Sequence, residues 1–451
     1  MRHTKKILLV FPRASGTATS NDALFPFPFL CLTQLAAAFP PGQYDLKILD
    51  ERISPVSGKE HPDLVLITTL TSTAPRAFAL GDHFRQRGIP VVMGGVHATV
   101  CPEEASGHAT SIVIGEAEGM VPKLLDDFER SQLAPEYRAS CPSDLNDIPP
   151  PALHLLNWRH RIFLSPIQTS RGCPNSCDFC SVPAISGRKL RTRSLSSIDA
   201  QLRYLKQFRS RKLFVVDDNF TANKDRALAI VDRFRYHGFR WAGFSNLGIS
   251  EDEDLLKALG DSRCVSLFIG FESLRGQGHL AKNRSYKSPD DIRRAVDRIH
   301  AFGMGIQGSF IFGFDDDDPG VFRETVSFIQ EAGIELPMVN ILTPFPGTPL
   351  FDSLKASHRL LDLDWSFYDM NHAVLQPKQM THHELQQGYA WALKYLASPS
   401  SILYRLKRRF GSMPYFLTAN FSLHHYQTRL AHSLWNRTVQ DGMEKRGLCP
   451  C

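Results

Sequence analysis

Two stretches of this 451-residue chain alternate short apolar runs with amphipathic helical segments, and that rhythm restricts the fold more than any other feature. In the first stretch, Ile7 to Phe11, Asp45 to Leu49, Leu64 to Thr68, Val91 to Met93 and Ser111 to Ile114 read as strands. Helical patterns such as Ala74 to Arg87 separate them. Strands joined through helices lie parallel, with the helices covering both faces of the sheet. Residues 1–130 are therefore expected to form an α/β unit, a Rossmann-like doubly wound parallel sheet. Ligands of such sheets bind in loops beyond the carboxyl ends of the strands. Those loops read Pro12-Arg13-Ala14-Ser15-Gly16, Thr69-Leu70-Thr71-Ser72-Thr73, Gly94-Gly95-Val96-His97 and Gly115-Glu116.

Residues 131–160 lose the rhythm and contain Pro149-Pro150-Pro151, whose fixed angles and missing donors suit an extended linker. A second series then occupies residues 161–355: Phe163 to Thr169, Lys212 to Val216, Trp241 to Ser245, Ser266 to Phe271, Gly305 to Phe312 and Met338 to Thr343. Six such units fit a partial (β/α) six-strand barrel whose functional face is again the carboxyl end of its strands. Residues 356–451 read as a mainly helical C-terminal extension.

Hydrophobic content of 43% and charged content of 22% match a globular enzyme. No apolar run approaches the roughly 20 residues that span a bilayer. The apolar stretch after the basic Met-Arg-His-Thr-Lys-Lys opening is too short for a signal peptide, so a cytoplasmic location is expected. Residues 401–451 hold eight Lys/Arg against two Asp/Glu, which accounts for the whole net charge of +6. No nucleic-acid partner is expected. Residues 401 to 430 combine Leu403, Leu406, Phe410, Phe416 and Phe421 with Arg405, Lys407, Arg408 and Arg409. That pattern fits a packed amphipathic helix with a basic face, and leaves open peripheral membrane contact or a lipid-like substrate.

The nine cysteines form no disulfide framework, because only Cys173, Cys177 and Cys180 are clustered. These three follow a predicted strand, in Cys173-Pro174-Asn175-Ser176-Cys177-Asp178-Phe179-Cys180. Thiolates select zinc or iron–sulfur clusters. A structural zinc site is closed by four ligands, and no fourth Cys or His stands at a convincing spacing. An iron–sulfur cluster held by three cysteines leaves one iron open to an outside ligand.

This CxxxCxxC arrangement resembles the radical S-adenosylmethionine superfamily. The resemblance implies a [4Fe–4S] cluster on Cys173, Cys177 and Cys180, with S-adenosylmethionine on the open iron, cleaved to a deoxyadenosyl radical. It implies that Phe179 packs beside the adenine. Phe214-Val215-Val216-Asp217-Asp218-Asn219-Phe220 is similar to the strand facing the cofactor's methionine part, which makes Asp217 a cofactor-binding candidate; Asp217 and Asp218 are equally suited to capping the next helix. Ile269-Gly270-Phe271-Glu272-Ser273 resembles the fourth barrel strand, with Glu272 toward the ribose hydroxyls, and Ser245 and Asn246 end the third. The basic run Gly187 to Arg193 is either a surface loop or a dock for a charged substrate or an acidic electron donor such as flavodoxin or ferredoxin.

Leu64 to Gly88, Val91-Val92-Met93-Gly94-Gly95-Val96-His97-Ala98-Thr99, Val113 to Glu118 and Phe25 to Ala38 resemble the cobalamin-binding domain of cobalamin-dependent radical S-adenosylmethionine enzymes. Cobalamin is thereby implied as a further cofactor, with Gly94 and Gly95 letting the backbone approach it closely. The Asp-x-His-x-x-Gly motif of the classical mutase domains is absent after the first strand, and His97 is not assigned to cobalt. Asp362-Leu363-Asp364-Trp365 and Tyr368 resemble extensions that close over the barrel mouth in several subgroups, although aromatics at this spacing also suit a core. The expected function is methylation of an unactivated carbon in a small-molecule substrate. Radical rearrangement, cyclisation or oxidation is the alternative within the same cofactor chemistry, and a non-catalytic metal-binding protein is the alternative outside it.

Overall fold

In the computed structural model, which describes residues 4–14, 29–157, 164–208, 211–275, 288–361, 364–407 and 413–444, the first series forms a fully parallel sheet. Its strands are β1 (Lys5–Phe11), β2 (Tyr44–Asp50), β3 (Leu64–Thr68), β4 (Val91–Gly94), β5 (Ser111–Ile114) and β6 (Glu136–Arg138). They lie in the order β2-β1-β3-β4-β5-β6. Alternate strand residues feed two separate cores. Leu8, Val10, Val65 and Ile67 pack with Ala77, Phe78 and Phe84 of helix Ala74–Gln86. Ile7, Leu9, Leu64 and Leu66 pack with Leu32, Leu124 and Phe128 of the helices on the opposite face. The sheet is thus wound on both sides, and every central strand is a nearly continuous buried run, as parallel strands require.

The segment 131–160 is not extended throughout. It contributes β6, in which only Tyr137 is buried between exposed Glu136 and Arg138, too short a pattern to show a period. Leu145, Ile148, Ala152 and Leu153 are buried as well, so this segment is packed between the two α/β units.

The second series gives β7 (Ser165–Ile167), β10 (Lys212–Val215), β11 (Arg240–Ser245), β12 (Cys264–Glu272), β13 (Gly305–Phe312) and β14 (Leu336–Ile341). Each pairs in parallel with its neighbour in sequence, which is the partial-barrel order. Between β7 and β10, a short antiparallel pair, β8 (Ser170–Arg171) and β9 (Arg191–Thr192), brackets the cysteine segment.

The C-terminal helices share the barrel's core: Leu385, Tyr389, Leu393 and Leu430 cluster with residues of β10 to β14. Helix Met413–Glu444 brings Phe416 against Gly305, where a Cβ would lie 2.2 Å from the ring. Gly305 opens β13, so this helix docks at the amino ends of the strands. Arg405, expected on a basic face, is buried and donates to the Leu396 carbonyl (3.1 Å) and Asn420 Oδ1 (3.2 Å). Leu403 and Phe421 are exposed, whereas Leu406 and Phe416 are core. Among the described residues no helix is long and apolar enough to cross a membrane. Ser15, Gly16, Phe25, Phe163, Asp362, Leu363, Arg408, Arg409, Phe410, Cys449 and Cys451 lie outside the described residues.

Candidate active site

The cysteine segment leaves β7 through Thr169 and Ser170, and both are tied to Asp217. The buried Asp217 carboxylate accepts from the Thr169 amide (2.6 Å), from Ser170 Oγ (2.6 Å) and from Thr169 Oγ1. Asp217 does not line the cavity beside the cysteines. It anchors the segment that carries the thiols, and the next residue, Asp218, lines the cavity. Side chains alternate at a strand end, so adjacent aspartates face opposite ways.

Cys173, Cys177 and Cys180 line one cavity of about 500 Å³ at the carboxyl ends of the barrel strands. None is in a disulfide. Burial, then the neighbouring Cys180 and Glu272, push the Cys177 thiol up to about 11; burial also raises Cys173 and Cys180. Three thiolates in so small a space repel one another, and a bound cation removes that penalty. The donor set thus fits a metal cluster.

The other walls come from the barrel. Phe179, Ser245, Asn246 and Glu272 all line this cavity, together with Phe244, Phe268 and Ser309. Phe179 packs edge-on against Phe314 at 6.3 Å. Ser245 Oγ is held by Thr221 Oγ1 at 2.7 Å, and Asn246 Oδ1 accepts from the Gly248 amide at 2.9 Å. Glu272 has φ +60°, at an irregularity in the β12–β13 register. Left-handed backbone is uncommon for glutamate and concentrates at functional sites. Gly270 makes the arrangement possible, because a Cβ there would lie 2.3 Å from Glu272 Oε1.

A second cavity, of about 320 Å³, lies between the carboxyl ends of the two sheets. Thr68, Gly94, Gly95 and Gly115 contribute from the first sheet, and Gln168, Arg171, Val216 and Asp218 from the barrel. Leu66, Val92 and Val113 form an apolar floor, with Gln34, Thr99 and Gln168 among the polar lining. An apolar floor with amide and hydroxyl groups at its edge fits a corrin ring bearing amide side chains. Gly94 and Gly95 differ in kind. Gly95 adopts φ +99° and ψ −169°, and a Cβ there would lie 2.8 Å from Thr68 Oγ1 and from the Thr69 amide nitrogen and carbonyl oxygen. Gly94 would meet nothing closer than Val113 Cβ at 3.6 Å. His97 is buried outside the cavity lining, with Nε2 3.1 Å from Glu104 Oε2. Trp365 meets that pair from the C-terminal extension, its Nε1 donating to Glu104 at 3.0 Å; neither Trp365 nor Tyr368 lines either cavity.

The 500 Å³ and 320 Å³ cavities share Asp218. Two family models divide the chain along the same line: the B12 binding domain matches residues 32–125, and the Radical SAM superfamily matches residues 167–329. The chain combines a B12 binding domain with a radical SAM domain, the pairing of cobalamin-dependent radical SAM enzymes. Its cofactors are accordingly a [4Fe–4S] cluster, S-adenosylmethionine and cobalamin. The bacteriochlorophyllide d C-12(1)-methyltransferase of Chlorobaculum tepidum is 29% identical over 442 residues, covering 96% of this chain and 95% of the relative. The fold matches the solved structure of OxsB with aqua-cobalamin bound, at a TM-score of 0.67 and 14% identity over 100% of this chain and 82% of that one. It also matches TsrM from Kitasatospora setae with cobalamin and a [4Fe–4S] cluster bound, at 0.64 and 14% over 98% and 100%.

The sequence offered Asp218 only as a helix cap and Glu116 only as part of a strand-end loop, and gave neither a role at the junction of the two cavities. The only signal for them was position: Asp218 follows an apolar strand, and Gly115-Glu116-Ala117-Glu118 follows β5. Within the basic run, Arg193 is buried and donates to the Ile148 carbonyl at 2.9 Å, and Arg191 pairs with Glu116. Arg188 and Lys189 remain exposed.

Proposed function

We propose that this cobalamin-dependent radical SAM methyltransferase adds a methyl group to an unactivated carbon of a tetrapyrrole-type small molecule. The observation that supports it is the pair of cavities, one lined by three thiols and one over the first sheet, sharing Asp218 as a common wall. The near full-length relative acting on bacteriochlorophyllide d supplies the substrate class. Phe244 and Phe268, which meet at 4.7 Å in the barrel cavity, offer the flat apolar contact such a ring needs.

When bound, the cluster provides the electron that cleaves S-adenosylmethionine to a hydrogen-abstracting radical, and cobalamin provides the methyl group. Cys173, Cys177 and Cys180 are the cluster ligands in this reading. Phe179 and Glu272 orient the adenosyl part, Glu272 as an acceptor for ribose hydroxyls, while Ser245 and Asn246 hold polar edges of the same ligand. Gly94 gives the corrin ring room against β4. Substrate reaches its carbon position where the two cavities meet, so the chain contributes proximity and exclusion of water more than acid–base chemistry. Arg188 and Lys189 are the candidate dock for an acidic electron donor such as flavodoxin or ferredoxin. The enzyme works in the cytoplasm, with peripheral membrane contact through the exposed Leu403, Tyr404, Leu417 and Phe421 of the C-terminal helices.

The test is anaerobic reconstitution with iron, sulfide and hydroxocobalamin, then incubation with bacteriochlorophyllide d and methyl-labelled S-adenosylmethionine. A labelled pigment one methyl group heavier is the expected product. Recovery of unmodified pigment, alongside labelling of a non-tetrapyrrole substrate, contradicts the substrate class.

A further inference from the structure

Arg171 stands two residues before Cys173, on β8, and its guanidinium reaches across to the loops of the first sheet. Its Nη2 donates to Glu118 Oε1 at 2.5 Å and to Gln34 Oε1 at 3.1 Å, and its Nη1 lies 3.4 Å from Glu116 Oε2. Glu116 also pairs with Arg191 on β9, the other strand bracketing the cysteine segment. Arg191 Nη1 in turn reaches the Ser143 carbonyl at 3.1 Å. On the barrel side, Arg171 Nε donates to Gln168 Oε1 at 2.8 Å, and the Gly172 amide donates to Asp218 at 2.8 Å. Arg171, Glu116 and Glu118 keep only 10–11% side-chain exposure.

These are the two loops that matter for chemistry. Gly115 to Glu118 follows β5 and lines the cavity over the first sheet, and Arg171 to Arg191 carries the thiols. Exposed ion pairs contribute little to geometry, but charges removed from water lose heavily when their partner is displaced, so a buried fork holds a narrow range of positions. Radical methylation is demanding in this respect, because a misplacement of about 1 Å between reacting groups can cost about 10²-fold in rate.

We infer that Arg171, with Glu118, Glu116 and Arg191, is a positioning clamp that fixes the separation of the cobalamin and cluster sites. It rests on the reading that cobalamin occupies the cavity over the first sheet. The clamp touches no reacting atom. Its loss loosens the distance between the two centres and lets the radical react before the methyl donor is in place.

The experiment compares wild type with R171Q, E118Q, the double variant and R171K, each reconstituted anaerobically at saturating hydroxocobalamin. Dipolar electron paramagnetic resonance between cob(II)alamin and the reduced cluster reads the separation directly, and deoxyadenosine formed per methylated product reads coupling. Iron content stays at the wild-type value in all four. R171Q and E118Q broaden the distance distribution and raise the deoxyadenosine-to-product ratio by tenfold or more. The double variant is no worse than R171Q alone, because both remove the same link. R171K, which keeps the charge without the fork, falls between. An unchanged distance distribution in R171Q and E118Q, or strictly additive effects in the double variant, overturns the clamp. Failure of the wild type to bind cobalamin would instead overturn the functional reading beneath it.

Discussion

Replacing Gly95 and Gly94 separately distinguishes a glycine that serves the fold from one that serves a ligand. At Gly95 an added methyl enters a backbone region that only glycine occupies readily, at a cost of roughly 1–3 kcal/mol. The same methyl would lie 2.8 Å from two backbone atoms of Thr69, which cannot swing aside as a long side chain does. Overpacking of that kind costs about 1–3 kcal/mol. Together Gly95→Ala loses about 4 kcal/mol, a large part of the 5–15 kcal/mol that ordinarily holds a domain folded. With a urea dependence of about 2 kcal/mol per molar, the unfolding midpoint of the cobalamin-free protein falls by about 2 M. At Gly94 the nearest atom is Val113 Cβ at 3.6 Å, an ordinary contact, and both residues line the cavity. Gly94→Leu therefore changes stability by less than about 1 kcal/mol while weakening cobalamin binding by about tenfold or more, or about 1.4 kcal/mol. Urea unfolding followed by circular dichroism and cobalamin titration followed by absorbance measure both. An unshifted midpoint in Gly95→Ala, or wild-type cobalamin affinity in Gly94→Leu, refutes the reasoning.

Three further outcomes follow from the site. Asp217→Ala strands three hydrogen-bond donors and the nearby Arg226 guanidinium in the interior, so it destabilises the protein by about 3–5 kcal/mol; a midpoint within error of wild type would show that the carboxylate is not the anchor. Cys173→Ala, Cys177→Ala and Cys180→Ala each lose the roughly four irons of a four-iron cluster, whereas Cys101→Ala and Cys141→Ala retain them; stoichiometric zinc in protein prepared without oxygen contradicts the assignment. Glu116 is held below its ordinary value of 4.5, because hydrogen bonding from Arg191 and the charge of Arg171 outweigh the opposing effect of burial. A lowered carboxyl stabilises the fold above its unfolded-state pKa and loses that contribution as pH falls, so stability should decline below about pH 4.5, less steeply in Glu116→Gln than in wild type; parallel curves would remove Glu116 from the account.

Both sheets were legible because buried parallel strands are short, uninterrupted apolar runs, and Leu64–Thr68, Ser111–Ile114 and Gly305–Phe312 fall on the residues their patterns predict. β6 was not legible, since one buried tyrosine between two charges has no period. The three cysteines stood out through spacing alone, and all three line one cavity. Asp217 and Asp218 could not be told apart in sequence: which of two adjacent carboxylates faces a cavity depends on strand phase, and the phase is fixed by Thr169 and Ser170, about fifty residues earlier in the chain. The same limit hid the Arg171 clamp, whose partners lie on the far side of the segment 131–160. Local pattern reports which residues are buried, but not which buried charges meet. The C-terminal helix shows a related failure, because its apolar face predicts packing without saying against which end of the barrel.

The central claim, methyl transfer through cobalamin, is tested most directly by product stoichiometry in the reconstituted enzyme with its substrate. One S-adenosylmethionine is consumed as the radical source and a second as the methyl source. Deoxyadenosine and S-adenosylhomocysteine should therefore accumulate in near-equal amounts, each matching the labelled methyl found in product. Deoxyadenosine formed with altered substrate, but without S-adenosylhomocysteine or methyl incorporation, would contradict methyl transfer and establish a radical rearrangement, cyclisation or oxidation in its place.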